Sequence, residues 1–109
     1  MSKHDTSERV AVQFLPKEKQ RSEYDWANIV VGKKQVGKAR CSVSGRKLTI
    51  WSINVFSRFE GRGYARQAID TFKEKFSTIV ADRVRYRARG FWEKMGFADL
   101  SNGNWAYRR

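Results

Sequence analysis

An α/β (α+β) fold is predicted for this chain: a mixed, mainly antiparallel central sheet with one βαβ unit, a short second helix and a C-terminal hairpin. Strand-length runs of apolar and β-branched residues, separated by short glycine-containing turns, fill the first half of the sequence. The most apolar of these runs leads into a segment whose apolar residues have helical spacing, and that segment into another short apolar run. This is the order of a right-handed βαβ crossover. Two short apolar segments around Asn102-Gly103 close the chain as a hairpin.

Arg9-Val10-Ala11-Val12-Gln13-Phe14 is rich in β-branched and aromatic residues and stops before Pro16, so it reads as the first strand. The almost wholly polar stretch from Lys17 to Asp25 is either a loop or one short solvated helical turn. Trp26 to Val31 and Gln35 to Val43 flank Gly32-Lys33-Lys34, a connection short enough for a hairpin. Ser44-Gly45-Arg46-Lys47 then turns the chain into Leu48 to Phe56, apolar on both faces as a central strand should be. These runs make a meander. After Ser57 to Gly63, the segment Tyr64 to Phe76 sets Ala65, Ala68, Ile69, Phe72 and Phe76 on one side of a helix and Arg66, Gln67, Asp70, Lys73 and Glu74 on the other. Thr78 to Ala81 is a short strand parallel to the one before the helix. Phe91 to Met95 forms a short helix stopped by Gly96, which suits a left-handed cap. Ala98 to Leu100 and Trp105 to Tyr107 flank the two-residue turn Asn102-Gly103.

Residues 9–109 therefore read as a single domain behind a flexible N-terminus, residues 1–8, and a length of 109 residues suits one domain. Hydrophobic residues at 40% and aromatics at 14% predict a packed core. Lys and Arg number 23 against 11 Asp and Glu, a net charge of +12, so anionic partners are expected. Phosphate-rich cofactors, nucleic acid, acidic proteins and anionic membranes all fit that field. The N-terminus is polar, and no stretch approaches the roughly 18 apolar residues of a membrane span, so no membrane role is expected. Cys41 is the only cysteine, which excludes an intramolecular disulfide and suggests the cytoplasm. With His4 as the only histidine, a Ser/His/Asp or Cys/His nucleophile has no base and a zinc shell has no ligands, so no metal is expected. Chemistry must come from a bound cofactor or from proximity.

Arg58-Phe59-Glu60-Gly61-Arg62-Gly63 joins the central strand to the amphipathic helix, where the first helical N–H groups lack intrahelical partners and the dipole favours an anion. Two glycines let backbone amides approach phosphate oxygens, and Arg58, Arg62 and Arg66 add positive charge. The alternative is an ordinary strand-to-helix turn with solvated arginines. A P-loop is excluded because no Gly-Lys-Ser/Thr ends the loop, and a dinucleotide fingerprint fails because Arg66 stands where a third Gly or Ala belongs.

These residues resemble the phosphate-binding motif of the GNAT acetyltransferase superfamily, Gln/Arg-x-x-Gly-x-Gly/Ala, matched by Arg58, Gly61 and Gly63. Downstream, Ala88-Arg89-Gly90-Phe91-Trp92-Glu93-Lys94-Met95-Gly96-Phe97 is similar to that superfamily's Ala-x-x-Phe-Tyr-x-Lys-x-Gly-Phe block. The resemblance runs from about Trp26 to Tyr107 and implies acetyl-CoA as acyl donor, with direct attack of an amine on its thioester. The pantetheine arm would then pair with the backbone of Ile53, Asn54 and Val55, and the pyrophosphate would meet the loop formed by Arg58, Phe59, Glu60, Gly61, Arg62, Gly63, Tyr64, Ala65 and Arg66. The resemblance also implies a proton-donating Tyr where this chain has Trp92, whose indole is no acid near neutral pH. Tyr86 is the nearest other phenol, as acid or as a half-buried strand residue, and water is a further proton source. Glu60 and Asp82 are conceivable bases, although a helix N-terminus and a turn explain them as well. Cys41 and Ser57 have no partner base.

Members of the superfamily often place two helices between the first two strands, whereas here only Leu15 to Asp25 is available. An open acceptor site is therefore expected, suited to a protein lysine, a protein N-terminus or an RNA-linked amine, unless a homodimer partner supplies a wall. Arg83, Arg85, Arg87 and Arg89 alternate with Val84, Tyr86 and Ala88. In an extended strand all four would project to one side, as a track for nucleic acid or an acidic protein or as a solvated edge. The other function class is accordingly an inactive GNAT-fold module that binds nucleic acid or a protein partner.

Overall fold

The structure is a computed structural model that describes residues 9–109; the expected flexible segment, residues 1–8, and His4 with it lie outside the described residues. The elements run β1 (Val10–Leu15), α1 (Lys17–Gln20), β2 (Asp25–Val31), β3 (Lys34–Ser44), β4 (Lys47–Val55), α2 (Tyr64–Lys75), β5 (Thr78–Ala81), α3 (Arg89–Lys94), β6 (Ala98–Asp99) and β7 (Trp105–Arg108), with 3₁₀ turns at Ser57–Phe59 and Tyr86–Ala88. They form a 7-stranded sheet of order β1-β2-β3-β4-β5-β7-β6. Every neighbouring pair is antiparallel except β4 with β5, the parallel pair that α2 connects. The predicted meander and βαβ unit are both present.

The sheet's alternation decides where the core lies. Ala27 and Ile29 of β2, Ala39 and Cys41 of β3, Leu48 and Ile50 of β4, and Ile79 and Ala81 of β5 are all buried. Helix α2 lays Ala68, Ile69 and Phe72 on that face, the chain adds Phe76 just beyond it, and Phe14 of β1 packs against both phenyl rings. Each of these large side chains stabilises the fold by about 1.5–3 kcal/mol. Trp92 of α3 and Met95 just beyond it belong to the same cluster, so both longer helices cover one face. The two helices are tied at one end, where Lys73 Nζ of α2 donates to the Met95 carbonyl and sits 4.6 Å from the centre of the Tyr107 ring. On the opposite flank Asp25 accepts hydrogen bonds from the Lys17 N–H at 2.8 Å and the Val43 N–H at 2.9 Å, fixing α1 against the end of β3.

Two bulges interrupt the ladders. In β3, Ile29 opposes Gly37 while Val30 opposes Gln35, leaving Val36 over; in β4, Arg40 opposes Ser52 while Cys41 opposes Ile50, leaving Trp51 over. An extra residue shifts the side-chain phase by one. Beyond Trp51 it is therefore Ile53 and Val55 that turn to the core side, and Leu48 to Phe56 is not uniformly apolar-facing: Trp51, Ser52 and Asn54 are exposed.

The structure corrects the arginine stripe. Arg83, Arg85, Arg87 and Arg89 do not lie on a strand: Arg83 has φ 52, Tyr86–Ala88 is a 3₁₀ turn, and Arg89 begins α3. Tertiary contacts override the alternating pattern, because the Arg83 N–H is captured by the Asn104 side chain at 2.9 Å and the Val84 N–H by the Gly103 carbonyl at 2.8 Å. That bend sends Val84 and Ala88 to the core, and it leaves Tyr86 80% exposed rather than half-buried in a strand. The closing hairpin is also longer than the two-residue turn expected: Leu100 N–H bonds the Asn104 carbonyl, so Ser101, Asn102 and Gly103 form the loop, with positive φ at Ser101 and Gly103.

At Gly37 the neighbouring β4 leaves no room for a side chain, since a Cβ there would stand 2.5 Å from the Asn54 carbonyl oxygen and 3.0 Å from the Val55 Cα. Both are backbone atoms. Gly37→Ala is expected to lower the unfolding free energy by about 1–3 kcal/mol in urea titration; a change within about 0.5 kcal/mol would show that this part of β4 yields freely.

Candidate functional site

The parallel pairing of β4 with β5 stops early. Register partners run only from Lys47 with Thr78 to Ile50 with Ala81, and the last rung is the Asp82 N–H on the Ile50 carbonyl at 2.9 Å. Past the Trp51 bulge, β4 keeps only β3 beside it among the described residues. The Phe56 N–H bonds the Val36 carbonyl at 2.8 Å. By alternation Asn54 also points its backbone polar groups at β3, and Ile53 and Val55 turn theirs to the open side.

The parted strands enclose a cleft of about 540 Å³ lined from β4 by Ile50 to Asn54, from β3 by Arg40, and from the far side by Ala81 to Arg85, Ala88 and Trp92. Trp92 is 5% exposed and packs against Phe91 at 5.1 Å and Phe97 at 4.8 Å between ring centres, so it is a fixed wall. Asp82 is the carboxylate in this lining, and its Oδ2 lies 3.6 Å from Arg83 Nε. Tyr86 does not line the cleft and is spread over the solvent side, with the Arg89 guanidinium 5.3 Å from its ring.

A second groove of about 370 Å³ is lined by Val55, Phe59, Glu60, Gly61, Gly63, Tyr64, Ala65, Arg66 and Phe91. Gly61 and Gly63 have φ 82 and 79, a left-handed conformation that glycine adopts without strain, and it brings the chain into α2 with no side chain over the helix start. A Cβ at either glycine would meet no atom within 4 Å, so it is the positive φ and not crowding that calls for glycine here. No side chain caps α2 and its first turn holds no acidic residue. Ala65 and Arg66 thus present N–H groups with no acceptor further up the helix. Arg58 and Arg62 both stack near the Phe59 ring, at 5.3 and 5.9 Å, which holds two cations beside the groove. Another groove, between Phe14 and Lys75, sits at the far end of α2 and adjoins none of these residues.

The structure therefore sets Ile53 and Asn54 in the cleft with Trp92, and Val55 in the adjacent groove with Phe59, Glu60, Gly61, Gly63, Tyr64, Ala65 and Arg66, while Arg62 lines a separate groove with Val31 to Lys34. Arg40, Ser52, Val84 and Ala88 share the cleft without having been singled out. Their only trace in the sequence is the switch from apolar residues at 48 and 50 to apolar residues at 53 and 55, the mark of the bulge. Cys41 stays out of the chemistry: it is fully buried, and burial, followed by the nearby Asp25 carboxylate, pushes its thiol up to about 12. Among the described residues no group of three or more His, Cys, Asp or Glu is placed to hold a metal ion, and no helix is long and apolar enough to cross a membrane.

Residues 2–97 match the acetyltransferase (GNAT) family, and the chain belongs to it. It is 36% identical over 54 residues to an uncharacterized N-acetyltransferase of Halalkalibacterium halodurans, a match over 50% of this chain and 31% of that protein. A counterpart in Oceanobacillus iheyensis is 34% identical over 46% of this chain and 31% of its own length, so the chain spans about a third of the length of the curated relatives it matches. The fold is shared with the N-acetyltransferase YlbP of Bacillus subtilis, solved in complex with coenzyme A, at TM-score 0.62 and 21% identity over 81% of this chain and 70% of that one. It is shared also with YhhK of E. coli, a putative N-acetyl transferase solved bound to coenzyme A, at TM-score 0.69 and 13% identity over 93% and 99%.

The Cys41 thiol gives a pH test. An unfolded thiol ionises near its ordinary value of 9.0 while the folded one stays protonated to about 12, so the stability Cys41 contributes is lost as pH rises through that interval. The stability difference between the wild type and Cys41→Ala is expected to shrink above pH 9.0 in denaturant titrations. A constant difference up to pH 11, or labelling of the native thiol at pH 8 as fast as of the unfolded chain, would contradict this burial.

Proposed function

We propose that the protein is an acetyl-CoA-dependent N-acetyltransferase acting on a primary amine presented at an open surface. The observation that carries this reading is the succession along β4 and its loop: the open-side backbone groups of Ile53 and Val55 are followed by the start of α2, which no side chain caps, behind Gly61 and Gly63. A chain of amides suits the first part and a pyrophosphate the second. When bound, acetyl-CoA supplies the thioester carbonyl. Transfer to an amine forms one N–C bond, breaks one C–S bond and moves a proton from the amine to the departing thiolate.

The chain's own contribution is chiefly positional. Trp92 walls the inner end of the cleft and excludes water there, and Asp82 offers the carboxylate that accepts a hydrogen bond from the incoming amine. No phenol lines the cleft. We assign protonation of the thiolate to solvent, which reaches the cleft from the uncovered side of the sheet. The same observation favours a second reading, a GNAT-fold binding module without transfer, and product formation separates the two.

Saturating acetyl-CoA, at about 100 times its dissociation constant, is expected to add about 2.7 kcal/mol of stability and raise the melting temperature by about 10 °C or more. Arg58→Glu, which leaves the glycine turn intact, and Gly61→Glu are each expected to remove most of that rise. No rise with the wild type in low and moderate salt would sink the reading. In turnover assays Tyr86→Phe is expected to keep the rate within about twofold, whereas a loss of roughly a hundredfold would make Tyr86 the acid.

A further inference from the structure

The face of the sheet opposite α2 and α3 carries no helix among the described residues, and its side chains are not those of an ordinary solvated face. Register places Trp26, Arg40 and Ser52 side by side across β2, β3 and β4, with Asn28, Lys38 and Asn54 in the next row. All belong to the phase opposite the buried Ala27, Ala39 and Cys41. The bulged Trp51 joins this face and is 38% exposed. Its ring meets Tyr24 at 6.1 Å and 61°. Cations lie on these rings: Arg40 stands 4.8 Å from the centre of Tyr24 and Lys38 5.2 Å from that of Trp26. Arg40 Nε is buried with no hydrogen-bond partner, a donor left without an acceptor.

We propose that this face binds single-stranded nucleic acid, with a base stacked on Trp51 and phosphates taken by Lys38 and Arg40. The exposed Trp51 ring, with cations held beside it on the half-buried Tyr24 and Trp26, supplies a π-surface for a base and charge for the phosphates on an open antiparallel sheet. Local charge agrees. Both oxygens of Asp25 are occupied by backbone N–H groups, Asp82 is turned to Arg83, and Arg83 and Arg85 are exposed at the rim, leaving the exposed Glu23 as the opposing charge on the adjoining turn. An acidic peptide would use the cations but not the rings. A duplex would keep its bases away from them. The two readings share part of their surface, since Arg40, Trp51, Ser52 and Asn54 also line the cleft between β4 and β5, but none of the contacts on this face involves the loop of Gly61 and Gly63.

The test is binding of an unstructured oligouridylate of roughly 16 nucleotides, read by tryptophan quenching and by anisotropy over a range of salt, without acetyl-CoA. Binding with quenching is expected, weakened about tenfold by Trp51→Ala and retained by Trp51→Phe, which keeps a ring. Lys38→Gln is expected to lower the salt slope by about one, and Lys94→Gln on α3 to change nothing. The proposal is overturned by absence of binding, by equal effects of Trp51→Ala and Lys94→Gln, by equal affinity for a duplex of the same charge, or by tighter binding of polyglutamate. Because the assay omits the acyl donor, its failure leaves the transferase reading untouched, and failure of the thermal-shift test leaves this one untouched.

Discussion

The site depends on a ladder that ends. β4 and β5 are held together over four register pairs, and beyond the extra residue Trp51 the backbone groups of Ile53 and Val55 face an open cleft. Without the bulge, the alternation set by Leu48 and Ile50 would continue, and Ile53 and Val55 would point their apolar side chains to the uncovered face. One inserted residue thus keeps the core continuous and frees the edge that the site uses. The crossover helix follows from the same constraint, because a parallel pair needs a connection long enough to return, and that connection delivers a helix N-terminus to the mouth of the cleft.

Much of this was legible because the responsible patterns are local. The spacing of Ala68, Ile69, Phe72 and Phe76 fixes α2, and Gly61 and Gly63 mark positions where only a left-handed turn joins strand to helix. What was not legible depends on partners far away in the chain. Arg83 to Arg89 alternates like a strand, yet Asn104 takes the Arg83 N–H and the chain bends into a 3₁₀ turn. The hairpin loop of Ser101 to Gly103 likewise follows from the pairing of Leu100 with Asn104, not from the Asn-Gly dipeptide alone. Arg40 entered the cleft through its register with Ser52, which no single-strand pattern discloses.

Charge and topology reinforce one another. The net charge of +12 would favour association with any polyanion, but the fold sorts the positive groups into distinct settings. Arg58 and Arg62 are held on Phe59 beside the helix start, and Lys38 and Arg40 on the rings of the bare sheet face. A cation stacked on an aromatic ring has already lost much of its rotational freedom, so less is lost when an anion arrives.

The lysine tie between the two helices has a mechanical meaning. Lys73 pins α2 to the Met95 carbonyl and Tyr107 at one end, while at the other end the gap between Tyr64 and Phe91 is bounded by side chains. Since Tyr64 and Ala68 bury the start of α2 against the sheet, the lysine tie is a second anchor at the far end, and the helix start is held in place before the groove.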